Sequence, residues 1–123
     1  QIPQADAGTR VAGLNAAAMA LAHAGIPMKE MITAIAAGKA DKTLIVDVDK
    51  EEEDFHDGEG ATDIPIAMTS RTKNITLLQL DGKISPDELK SCIEMSQKAC
   101  EDILQAQEQA LKDALAQSEE DKK

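Results

Sequence analysis

The sequence predicts an α+β fold: one helix, four strands and a long closing helix, with the helices lying against one antiparallel or mixed sheet. Three observations carry this. An alanine-rich helical pattern stops at Gly25 and Pro27, short β-type runs in the middle are divided by polar and glycine turns, and "SPDEL" opens a long amphipathic pattern. With 123 residues and 42% hydrophobic content, the chain supports one compact domain with a modest core. Its expected extent is residues 1–117, with a charged disordered tail over 118–123.

After Gly8 and Thr9, the residues Val11, Leu14, Ala18, Leu21 and Ala22 recur at helical spacing. The many small residues between them let another element approach closely, as suits a helix on a sheet. Met28 to Met31 reads as a short helical turn, and Ile32–Gly38 and Leu44–Val48 as strands around a turn at Lys39–Lys42. "DVDKEEEDFHDGEGATD" then reads as an acidic, glycine-punctuated loop. Two more strands, Ile64–Ser70 and Asn74–Asp81, form an expected hairpin around Arg71–Lys73. Ser85 is placed as N-cap, Pro86 at the first helical position and Glu88 for a capping box. The final helix carries its apolar stripe on Leu89, Ile93, Met95, Ala99, Ile103, Leu104 and Ala106.

Composition excludes several classes of function. Phe55 is the sole aromatic residue, so bases find no aromatic stacking platform, and a formal net charge of −10 opposes binding of a phosphate backbone by this surface alone. No apolar run is long enough to span a bilayer and the first residues lack the parts of a secretory signal, so no membrane partner and a cytoplasmic location are expected. Cys92 and Cys100 lie eight residues apart in one predicted helix, too far along its axis for a disulfide, and read as reduced, packed thiols. His23 and His56 have no partner at metal-ligand spacing, and the five methionines read as core filler. There is no P-loop, no Rossmann glycine pattern and no serine elbow.

Two stretches are candidates for chemistry. Gly8-Thr9-Arg10 puts a hydroxyl, free N–H groups and a guanidinium at one helix mouth, the arrangement that holds a phosphate. The plainer local reading is an N-cap by Thr9 with Arg10 on the surface. Arg10 argues for an anion, since a cation in a first helical turn opposes the dipole. In the acidic loop, Glu53, Asp54, Asp57, Glu59 and Asp63 could converge on Mg²⁺ or handle a proton, or form a solvated charge run. An EF-hand is excluded: from Asp47 the required glycine falls on Glu52, and from Glu53 the third position is Phe55. Asp63 stands apart because "IPIAMTS" follows it directly and anchors it.

Taken together, "ADAGTR", "ALAHAGIPM", "AAGKAD", "EEED", "ATDIPIA", "ITLLQLDGKISPDEL" and "QAQEQAL" resemble, in order and spacing, the second half of a ribonuclease PH-type subunit. This family, with the ribosomal protein S5 domain 2-like fold, includes ribonuclease PH, polynucleotide phosphorylase and the catalytic ring subunit of the archaeal exosome. The resemblance covers about Gln4 to Leu115. It implies a phosphorolytic 3′–5′ exoribonuclease in a hexameric ring of homologous subunits, acting on RNA 3′ ends with inorganic phosphate as co-substrate. Gly8, Thr9 and Arg10 match the stretch that holds the phosphate. Asp54 and Asp63 match the two acids, implied to act as general acid and as ligands of Mg²⁺ or Mn²⁺. The loop between them is longer than is usual in the family, which leaves Glu53 and Asp57 as alternatives to Asp54. The resemblance also implies a first half of the fold as partner, carrying the basic residues that grip RNA. The rival implication is a non-catalytic, RNA-binding structural subunit of the same ring.

Overall fold

The computed structural model describes residues 1–120, and positions 121–123 of the expected tail lie outside them. Along the chain come α1 (Thr9–His23), β1 (Ile32–Ala40), β2 (Thr43–Val46), α2 (Lys50–Glu53), β3 (Ala61–Thr69), β4 (Ile75–Leu78) and α3 (Pro86–Glu120). This is the predicted helix, four strands and long helix, with α2 added. The strands form one antiparallel sheet in the order β2-β1-β3-β4.

Several local expectations change. Met28–Met31 forms no helical turn but leads through a bend into β1. The predicted acidic loop contains α2, because Asp49 accepts from the Glu52 N–H while the Glu52 side chain accepts from the Asp49 N–H, a capping box that starts a helix. β3 begins at Ala61, so Asp63 lies inside a strand rather than at its mouth. The chain over Ser118–Glu120 continues α3. No described helix is long and apolar enough to cross a membrane.

β1 and β3 pair along their whole length, with Ala34 opposite Ala67, Ala37 opposite Ile64 and Gly38 opposite Asp63. Alternation then sorts the side chains into two layers. Ile35, Ala37, Ile64, Ile66 and Met68 pack under α3 with Cys92 and Cys100, both free and buried thiols. Ala34, Ala36 and Ala67 pack with Val11 and Leu14 of α1 and with Val48. On α3, Leu89, Ile93, Ala99 and Ile103 meet the core as expected, whereas Met95 and Ala106 face outward. The buried line of α3 instead includes the polar residues Ser96 and Gln107.

Two polar devices fix the helices. β2 pairs with β1 only from Ala37 to Ala40, which leaves Ala34 with an open edge. Asn15 of α1 fills it, donating to the Ala34 carbonyl at 2.7 Å and accepting from its N–H at 2.9 Å. Lys39, almost fully buried, reaches Glu59 at 2.5 Å and Glu88 at 2.7 Å, tying the loop after α2 to the first turn of α3. Lys39 and the Ser85 cap hold the Glu88 carboxyl down at about 2, well below its usual range.

Candidate functional site

The site is built where the mouth of α1 meets α2 and the α1-facing side of β3. Gly8 is the N-cap of α1 in the left-handed conformation, with φ 59°, and Thr9 is the first helical residue rather than the cap. Glycine suits that backbone and supplies no side chain to close the helix. Among the described residues, the N–H groups of Thr9, Arg10 and Val11 find no intrachain acceptor. Asp6, just upstream, accepts from the Lys50 N–H at 3.2 Å and so draws α2 against this mouth.

Gly8, Thr9, Arg10, Lys50, Glu53 and Asp63 surround a cleft of about 330 Å³. The register explains Asp63: residues 63, 65 and 67 of β3 share the face on which α1 packs. Its carboxylate stands 3.4 Å from the Arg10 guanidinium, whose other terminal nitrogen donates to Gln79 at 2.6 Å. Asp81 pairs with Asp63 across an isolated bridge, so Gln79 and Asp81 reach the same side.

Of the residues singled out from sequence, Gly8, Thr9, Arg10 and Asp63 come together at the cleft. Asp54 does not line it: as C-cap of α2, it has its carboxylate held at 2.8 Å by Lys50 and more than half exposed. Glu53, one helical step earlier, lines the cleft and is itself 3.1 Å from Lys50. The D-x-x-E pattern at Asp49–Glu52 is the sequence signal for α2 and hence for Glu53. Gln79 had no comparable signal, since its role depends on where β4 lies.

Burial pushes the Asp63 carboxyl up, the Glu53 charge adds to the rise, and Arg10 offsets only part of it. Asp63 should therefore titrate above ordinary carboxylates when followed by ¹³C NMR in the full-length protein without divalent metal. Glu53→Gln is expected to move its midpoint down and Arg10→Ala to move it up. Midpoints unmoved by both changes would remove these charges as its neighbours.

Chemically, open N–H groups and a guanidinium form an anion cradle. It faces two carboxylates across a small cleft, each beside a cation, Asp63 beside Arg10 and Glu53 beside Lys50. No group of three His, Cys, Asp or Glu side chains among the described residues is arranged to hold a metal ion. Mg²⁺, however, is commonly bound by one or two carboxylates completed by water and substrate phosphate. Glu53 and Asp63 both line this cleft.

Residues 30–99 match the family model described as 3′ exoribonuclease family, domain 2. Among curated proteins, the chain is 46% identical over 112 residues to the exosome complex component Rrp41 of Methanosarcina mazei, covering 91% of this chain and 22% of that protein. The proteins of the same name from Thermococcus kodakarensis and Nitrosopumilus maritimus are 45% and 48% identical over 113 residues, covering 92% of this chain and 44% and 45% of theirs. Among solved structures, rice Rrp46 superposes with a TM-score of 0.76 at 28% identity, covering 87% of this chain and 49% of that one. The chain thus spans less than half the length of these relatives.

Proposed function

We propose, from the premise that the chain belongs to the ribonuclease PH family of 3′ exoribonucleases and carries its domain 2, that it forms the second half of a phosphorolytic subunit in an exosome-like ring. The carrying observation is the cleft in which the open mouth of α1 and Arg10 face Asp63 and Glu53. Curated relatives named as exosome components support the ring assembly. RNA 3′ ends, a hexameric ring of homologous subunits and a first half of the fold are the partners this reading requires.

In the proposed reaction an oxygen of inorganic phosphate attacks the terminal phosphodiester of RNA. The bond from phosphorus to the preceding 3′ oxygen breaks, a nucleoside diphosphate leaves, and the shortened RNA end takes up a proton. Thr9 and Arg10 bind and orient the attacking phosphate through backbone N–H groups and the guanidinium. Asp63, its carboxyl raised by burial, is suited to hold the proton that the departing oxygen takes. Mg²⁺ or Mn²⁺ would be held by Glu53 or Asp54, with the Asp63 carboxyl contributing only through its unprotonated oxygen, and would offset the negative charge gathered between the two phosphates. Lining of the cleft favours Glu53 over Asp54.

The test uses the full-length protein assembled with its ring partner, radiolabelled poly(A) and Mg²⁺, with and without inorganic phosphate. Release of ADP only when phosphate is present is the expected result. RNA bound by the ring without decay would favour the non-catalytic structural subunit.

A further inference from the structure

Arg10 is a long, half-exposed side chain in the first turn of a helix, where the dipole repels its charge. Left free, such a group samples many rotamers, and ordering it on binding would cost affinity. It is not free here. Its Nη1 donates to Gln79 Oε1 at 2.6 Å, a much shorter contact than the 3.4 Å between Nη2 and Asp63. Gln79 is held in turn by its backbone N–H, which donates to the Pro65 carbonyl at 3.1 Å just beyond the end of β4. Arg10, Gln79, Asp63 and Asp81 line a second cleft, of about 340 Å³, beside the first.

The chemistry of this contact is selective. A guanidinium has five N–H donors in a fixed plane. A neutral amide oxygen that takes one of them orients the plane and leaves the positive charge and the other donors available, whereas a carboxylate in the same place would cancel the charge. We propose that Gln79 is a positioning residue for anion binding, holding the Arg10 guanidinium toward inorganic phosphate without neutralising it. This rests on the phosphate reading of the Arg10 cleft.

The test measures equilibrium binding of inorganic phosphate alone, and separately the KM values for phosphate and poly(A), in the full-length assembled protein. Gln79→Met, which keeps the length and removes the acceptor, is expected to weaken phosphate binding about tenfold, the scale of one charge-assisted hydrogen bond. The KM for poly(A) and the melting temperature should stay unchanged. Gln79→Glu, which keeps the acceptor but adds a negative charge, should also weaken phosphate binding. In an Arg10→Lys background, where the planar fork is gone, Gln79→Met should add nothing further. Wild-type phosphate affinity in Gln79→Met, or the same loss in both backgrounds, would overturn the inference. If phosphate binds in an Arg10-dependent way but no ADP forms, the phosphorolytic reading fails while these binding values still decide the role of Gln79. Phosphate binding indifferent to Arg10→Ala would overturn both.

Discussion

Asp63→Asn in the full-length, assembled protein is expected to lower phosphate-dependent ADP release by roughly a thousandfold while the protein remains folded, the scale on which removing a proton-transfer or electrostatic group acts. The stability expectation follows from the direction of the titration shift. A carboxyl raised in the folded state opposes folding at any pH where it is ionised, so an uncharged isostere should leave the melting temperature unchanged or higher. Arg10→Ala should lose activity by a different route, with the dependence on phosphate flattened because the cradle loses its cation. Full activity in Asp63→Asn would remove this residue from the mechanism. A thousandfold loss accompanied by a lower melting temperature would point to misfolding instead.

Gly38→Ala is expected to be strongly destabilising for a change of one methyl. A Cβ at Gly38 would fall well inside the contact distance of the Thr62 backbone carbonyl and 3.0 Å from the Val48 side chain. Backbone in a central strand cannot give way as a flexible side chain would, so overpacking of about 3 kcal/mol is expected. In a full-length subunit of this family's size, that corresponds to a fall in melting temperature of about 6–12 °C. Gly38 is also the register partner of Asp63, so activity should fall below wild type even at temperatures where Gly38→Ala is folded. A melting temperature within experimental error of wild type would show that β1 and β3 can separate locally at no cost.

Much of this architecture is legible in the chain itself. The stops at Gly25 and Pro27, the alternating strands and the Ser85–Glu88 box predict the elements later found, and Ser85 and Glu88 exchange the expected hydrogen bonds at 2.9 and 3.3 Å. These signals are readable because each is local: a cap or an alternation acts over a few residues. The buried line of α3 was less legible, since Ser96 and Gln107 occupy it and apolar periodicity passes over polar residues. Met28–Met31 misled in the opposite way, with local helical propensity overridden by the approach to β1.

The candidate site divides along the same line. The helix mouth at Gly8-Thr9-Arg10 and the anchored Asp63 stand out in sequence, and so does the family, because ordered motifs accumulate along one dimension. That these groups meet is a matter of register. A shift of one residue between β1 and β3 would turn Asp63 to the α3 side, away from Arg10. The choice between Glu53 and Asp54 at the cleft depends on the direction in which α2 leaves its cap, and Asp6 reaching across to Lys50 is one of the contacts that hold α2 there, beside its packing on β1 and β3. Gln79 meets Arg10 from 69 positions along the chain. By itself, then, the sequence determined which elements form, their order and which residues carry charge at the helix mouth. Only the tertiary structure decided which carboxylate and which amide face that mouth, because strand register and helix direction are set by contacts between residues far apart in the chain.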